Sequence, residues 1–144
     1  MIAYLDTSAV LKLLLLDEEG FDTVESIWAS ADETITSRLA YPEGRAALAA
    51  AAREGRIARR RLRAVARELD EVFAQLDVVE LDRRVAEVAG EVAERLSLRA
   101  ADAIHLASAL AVVPPPGDGV FVTWDRRLAR AATDTGLAVA PAVL

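Results

Sequence analysis

Four acidic residues in this chain stand beside apolar or small neighbours instead of in charged surface runs: Asp6, Glu43, Asp102 and Asp125. Each falls where a strand-like or helix-like pattern starts or stops. A carboxylate at a helix start has an ordinary use as a cap favoured by the helix dipole, and for Asp102 taken alone capping explains the position as well as chemistry does. Taken together the four ask for more. If strand ends bring Asp6 and Asp125 together and helix starts bring Glu43 and Asp102 beside them, four carboxylates share one cleft. Such groups raise one another's pKa values or are neutralised by a cation. All-oxygen ligation selects Mg2+ or Mn2+ over zinc. A metal held this way acidifies a water and stabilises the leaving oxygen of an in-line phosphoryl displacement. The chemistry implied is metal-assisted phosphodiester hydrolysis.

The surrounding pattern must position these groups. Ile2 to Leu5 is an apolar run ending at Asp6 and reads as a strand, with Thr7 and Ser8 as caps of a helix through Val10, Leu11 and Leu14. Past the acidic break Asp17-Glu18-Glu19-Gly20, Phe21, Val24, Ile27 and Trp28 recur at helical spacing. Thr34-Ile35-Thr36 is β-branched and leads into an Ala-rich helix from about Ser37 to Ala52, with Pro42 in its first turns. From Arg56 onward Leu62, Val65, Leu69, Val72 and Leu76 predict one amphipathic helix, with Arg56, Arg59, Arg60, Arg63 and Arg67 on its other face. Asp77 to Leu81 reads as a third strand, and Val85, Val88, Val92 and Leu96 as the next helix. A further helix runs from Ala100 to about Val112 and is stopped by Pro114-Pro115-Pro116-Gly117. Gly119 to Thr123 is the clearest strand, followed by a helix containing Leu128, Ala131 and Ala132, then Gly136 and a last strand at Leu137 to Val139. The alternation predicts an α/β fold with a mainly parallel sheet covered on both faces. In such sheets the ligand site lies beyond the carboxyl ends of the strands, where their order reverses, and Asp6 and Asp125 sit at such ends.

Composition removes several function classes. The 144 residues are 53% hydrophobic and 28% charged, a mixture suited to one domain spanning 1–144 around one core. The absence of cysteine excludes disulfides, thiolate metal sites and cysteine nucleophiles, and the single His105 excludes a multi-histidine metal site. Asp6 interrupts any secretory leader, and no apolar stretch approaches the roughly 20 residues of a bilayer span, so a cytoplasmic protein without membrane contact is expected. The formal net charge of −6 argues against binding nucleic acid by bulk charge, so polyanion binding must be local. Lys12 is the only lysine, and the arginine and alanine excess reads as a GC-rich genome.

Four segments in order, Tyr4-Leu5-Asp6-Thr7-Ser8-Ala9-Val10, Tyr41-Pro42-Glu43-Gly44-Arg45-Ala46, Ala101-Asp102-Ala103-Ile104-His105-Leu106-Ala107 and Phe121-Val122-Thr123-Trp124-Asp125-Arg126-Arg127-Leu128, give a specific signal. Over nearly its whole length the chain resembles the PIN-domain ribonucleases, and among them the VapC-type toxins of prokaryotic toxin–antitoxin modules. The resemblance implies a three-layer α/β/α fold on four to five short strands and a metal-dependent endoribonuclease. It implies that Asp6, Glu43, Asp102 and Asp125 gather one or two Mg2+ or Mn2+ ions. It also implies a cognate VapB-type antitoxin whose tail blocks the acidic cleft, and a homodimer.

On this reading Asp6 and Asp102 are the principal ligands, Glu43 completes the site or orients the attacking water, and Asp125 holds a second ion or a metal-bound water. Ser8 and Thr123 are hydroxyls that could support the ligands, Ser8 having a helix cap as its commoner use. His105, one turn after Asp102, reads as a buried, hydrogen-bonded neighbour of the site in preference to a general base. Arg126 and Arg127 are the nearest phosphate contacts for RNA. The stripe from Arg56 to Arg67 fits either an RNA backbone or an ordinary solvated face. Trp28, Tyr41 and Trp124 could stack on bases, though core packing is their default. Leu39, Tyr41, Leu48, Leu62, Leu69 and Phe73 suit a protomer interface or a core equally. Competing readings fare worse: a haloacid-dehalogenase-type phosphatase wants a second Asp where Ser8 stands, and a receiver domain wants a late lysine. A PIN-like scaffold that binds RNA or an antitoxin without turnover would not need all four carboxylates.

Overall fold

A computed structural model of the chain describes residues 1–15 and 19–142; Asp17 and Glu18 of the acidic break lie outside it. Strands β1 (Ile2–Leu5), β2 (Glu33–Ser37), β3 (Asp77–Val79), β4 (Gly119–Val122) and β5 (Ala138–Ala140) form one sheet in the order β3-β2-β1-β4-β5. Every pairing is parallel, with Tyr4 beside Ile35 on one side and beside Phe121 on the other. The intervening helices are α1 (Thr7–Lys12), α2 (Phe21–Ser30), α3 (Ala40–Arg53), α4 (Leu62–Gln75), α5 (Arg83–Leu96), α6 (Ala100–Val112) and α7 (Arg126–Asp134).

Parallel strands need crossovers, and the crossover helices bury both faces of the sheet. In β1, Ala3, Tyr4 and Leu5 are all fully buried, so the strand has no solvent face. Side chains alternate across it: Ala3 and Leu5 join a core cluster with Leu48, Val65 and Leu69, and Tyr4 joins Val85, Leu106, Phe121 and Leu128 on the other side. Helices α1 to α4 cover the first face and α5 to α7 the second, which gives the three α/β/α layers. Full burial of one leucine such as Leu69 contributes about 1.5–3 kcal/mol. Gly44 lets α3 approach α4 closely, because a Cβ there would stand 3.1 Å from Leu69 Cδ2. Leu48 and Leu69 are core residues, with the partly buried Tyr41, Leu62 and Phe73 packed against the same cluster, while Leu39 is half-buried.

Two local expectations are corrected. The amphipathic helix begins at Leu62, not Arg56: Arg59–Arg61 form a 3-10 turn, and Arg56 lies in the preceding loop with its Nε 3.0 Å from Glu54 Oε2. Of the predicted arginine stripe only Arg63 and Arg67 stand on α4, because three consecutive arginines offer no apolar face to anchor a helical turn. The cap of α1 is Asp6 itself, at φ −76 and ψ 178, and Thr7 and Ser8 are already helical. The strand must end before the cap, and Leu5 is its last paired residue.

The order of strands reverses at β1: its connection leads to β2 and β3 on one side, and β4 and β5 lie on the other. The crevice at that reversal opens between the carboxyl ends of β1 and β4. The residues that follow those ends are Asp6 and Thr123 to Asp125.

Candidate active site at the carboxyl edge of the sheet

Asp6 is 4% exposed and almost fully saturated with donors. Its Oδ1 accepts from Ala9 N at 3.0 Å and from Ser8 Oγ at 2.6 Å, and its Oδ2 accepts from Thr123 Oγ1 at 2.5 Å. Burial nonetheless raises the carboxyl pKa above its ordinary value, against the opposing pull of His105, Ser8, Thr123 and Ala9. Thr123 also accepts from Asp125 N at 3.0 Å, and Ser8 Oγ accepts from Trp124 N at 2.9 Å. Two hydroxyls therefore tie the turn after β1 to the turn after β4. Asp125 caps α7, its Oδ1 accepting from Arg127 N at 2.9 Å and Leu128 N at 3.0 Å.

Asp102 lies in the first turn of α6 with a side chain 20% exposed. Burial raises its pKa, and the neighbouring charges of Asp125 and Glu43 raise it further, which registers the three carboxylates as one electrostatic group. Its only ion pair among the described residues is with Arg99 Nε at 3.9 Å. Glu43, in the first turn of α3, is 32% exposed. Its Oε1 accepts from Thr7 Oγ1 and from His105 Nε2, each at 2.7 Å. Burial pushes the Glu43 pKa up, but those hydrogen bonds and the imidazole outweigh it and hold it below the ordinary value.

His105 is 3% exposed, with Nδ1 2.9 Å from Tyr4 Oη and Nε2 also 3.1 Å from Thr7 Oγ1. A carboxylate accepts only, so Nε2 carries the proton toward Glu43, and in the neutral ring Nδ1 then accepts from the tyrosine hydroxyl. Burial and the Asp6 charge hold the Tyr4 hydroxyl protonated, well above the usual phenol range.

Asp6, Ser8, Thr123 and Asp125 thus form one hydrogen-bonded set, Glu43 and His105 a second, and Asp102 couples to both by charge. Arg126 and Arg127 are exposed and join neither set: Arg126 lines a surface hollow with Arg130 and Val139, and Arg127 Nη2 donates to Ser97 O at 3.3 Å. Sequence reasoning missed Tyr4 and Thr7 as supports of Glu43. The signal for Tyr4 was the two-residue strand period, which sends it to the face opposite Ala3 and Leu5 and toward α6.

The donor set suits a hard divalent cation: oxygen ligands in partial burial, two of them with raised pKa values that a cation would relieve. Among the described residues no three acidic or histidine side chains already surround one point at ligand distance. Glu43 is engaged with Thr7 and His105 instead. The residues fit the ion by chemistry.

An α/β sheet with acidic residues clustered at its reversal point defines the class, and comparison supplies the family. The PIN domain profile matches residues 3–134. Ribonuclease VapC45 of Mycobacterium tuberculosis (strain CDC 1551 / Oshkosh) is 45% identical over 143 residues, 99% of this chain and 97% of that protein. The chain belongs to the PIN domain family, and within it to the VapC-type ribonucleases. Among solved structures, PAE2754 from Pyrobaculum aerophilum superposes with a TM-score of 0.66 at 25% identity over 96% of this chain and 92% of that one. VapBC2 from Rickettsia felis, bound to a DNA fragment from its promoter, gives 0.67 at 14% identity over 96% and 97%, a likeness of fold. Among the described residues no helix is long and apolar enough to cross a membrane.

Proposed function

We propose that the chain, one PIN domain over residues 1–144, is the toxin of a VapBC-type module, an endoribonuclease that hydrolyses RNA phosphodiester bonds with Mg2+ or Mn2+. The observation that carries this is Asp6: a buried carboxylate at the sheet's reversal point, held by three donors and still raised in pKa, beside three further acidic residues. Asp6 and Asp102 would hold the ion, with Glu43 and Asp125 completing the site. When bound, it would supply positive charge to the phosphate oxygens and acidify the attacking water.

The chain's own residues supply the order. Ser8 and Thr123 fix the Asp6 carboxylate in one rotamer, so its free lone pairs keep a constant direction. His105, anchored on Tyr4, holds Glu43 ionised and in place, where it can orient a water for in-line attack. Arg126 and Arg127, exposed after Asp125, are the proposed outer contacts for RNA phosphates. Partners of the same reading are an RNA substrate, a VapB-type antitoxin and a second copy of the chain, in the cytoplasm. The deciding experiment maps new RNA 5′ ends across the transcriptome after brief expression of the wild type, with Asp102→Asn as control. Sharp new ends confined to the wild type are expected. Identical maps from two soluble proteins would sink the assignment.

A further inference from the structure

Beside the acidic cluster, on the α1 and α3 side, lies a second hollow of about 220 Å³ lined by Leu11, Lys12, Ala47, Leu48, Arg56 and Trp124, with Ser8 at its border. Its chemistry differs from that of the cluster. Leu11, Leu15, Ala47 and Leu48 make an apolar floor, the Trp124 indole an aromatic wall, and Lys12 and Arg56 bring two cations to it, Arg56 being paired with Glu54 as well. The indole is held on two sides: Lys12 Nζ stands 5.5 Å from the ring centroid, and a Cβ on Gly20 would come within 2.7 Å of Trp124 Cζ2. Ser8 belongs to both places, donating to Asp6 and accepting from Trp124 N. The hollow therefore opens one side chain away from the candidate metal ligand.

We propose that this hollow is the binding subsite for one nucleotide flanking the scissile phosphate, and so a determinant of cleavage sequence; this rests on the ribonuclease reading above. A flat heterocycle fits an apolar floor beside an aromatic wall, and its phosphate fits the two cations. The space accommodates a single base. The subsite binds without the metal and selects which bond is presented to it.

The test uses the full chain with Trp28→Phe, which leaves Trp124 as the only indole. A single-stranded hexaribonucleotide is titrated in EDTA while indole fluorescence is followed. Saturable quenching is expected. Ala47→Phe, which fills the hollow, and separately Arg56→Gln, at an exposed position, are each expected to weaken it about tenfold, the scale of one base–aromatic contact. Mn2+ affinity should be unchanged in both, and the nucleotide preference beside the cut should broaden in Ala47→Phe. Absence of quenching, quenching insensitive to both variants, or equal quenching by an acidic hexapeptide would each overturn the proposal, the last by pointing to a protein occupant. The two readings fail separately. Variant-sensitive quenching with no RNA cleaved by the wild type supports the subsite and defeats the nuclease. Cleavage with the same flanking preference in wild type and Ala47→Phe does the reverse.

Discussion

Replacing Asp102 by Asn should make the metal-free protein more stable and the metal-loaded protein less so. The carboxylate is four-fifths buried, makes no hydrogen bond among the described residues, and is raised in pKa first by burial and then by Asp125 and Glu43. What the substitution removes is one ion pair to Arg99, itself 80% exposed and worth little. What it relieves is desolvation and repulsion. Relief of a destabilised active-site group typically gains about 0.5–2 kcal/mol, or about 2–7 °C in Tm at this chain length. With Mn2+ at about 100 times its dissociation constant the wild type should gain about 2.7 kcal/mol, near 10 °C, and the variant far less. The pH dependence has a definite sign. A folded-state pKa raised above the unfolded value means that the group favours folding below the unfolded value, and that this contribution is lost as pH rises through the raised one. In EDTA, therefore, wild type and variant should melt together near pH 4 and separate as pH climbs, the variant higher. Thermal melts of both proteins across pH, with and without Mn2+, settle the matter. A variant less stable in EDTA at neutral pH, or one stabilised by Mn2+ as much as the wild type, would refute the reasoning.

Thr123→Val removes the donor to Asp6 Oδ2 and the acceptor for Asp125 N at once, in a fully buried position. It should cost about 1–3 kcal/mol in urea denaturation and weaken Mn2+ binding, whereas unchanged values for both would show that the hydroxyl supports nothing. His105→Ala should cost about 2–4 kcal/mol, since it opens a cavity and removes the imidazole partner of the Tyr4 hydroxyl, and should slow RNA cleavage by releasing Glu43. Partial recovery of the cleavage rate in His105→Gln is expected; a rate in His105→Ala equal to wild type would remove the imidazole from the machinery.

All five strands were legible because each is a short apolar or β-branched run, and a parallel sheet covered on both faces leaves few other uses for such runs. The start of α4 was not. Arginine has good helix propensity, so Arg56 to Arg61 extends the helical pattern on paper, but the stretch is held to Ala51 and Ala52 by Ile57 alone and winds into a loop and a 3-10 turn. The four acidic candidates stood out in the sequence by their apolar or small neighbours. Their supports did not, because those depend on distant segments meeting: Thr123 reaches Asp6 across 117 positions and His105 reaches Tyr4 across 101. Thr7 reads as a capping residue on its own turn and becomes a partner of Glu43 only when α3 is laid against α1.

Capping and metal binding were rival explanations for an acidic residue at a helix start, and the structure makes them compatible. Asp6 and Asp125 both cap, each through Oδ1 alone. A carboxylate has two oxygens with about four lone-pair sites, so one oxygen can be spent on backbone N–H groups while the other remains an acceptor. The cap then does what a mobile surface carboxylate cannot: it fixes the rotamer and points the second oxygen in one direction before any ligand arrives. Thr123 grips that second oxygen of Asp6 and accepts from Asp125 N, so the two caps are oriented with respect to each other. Asp102 and Glu43 lack such a cap, and their repulsion is what a cation would relieve. The candidate site therefore divides into two carboxylates preorganised as helix caps and two that are not. Loss of either preorganised member should lower metal affinity more than its loss of charge alone explains.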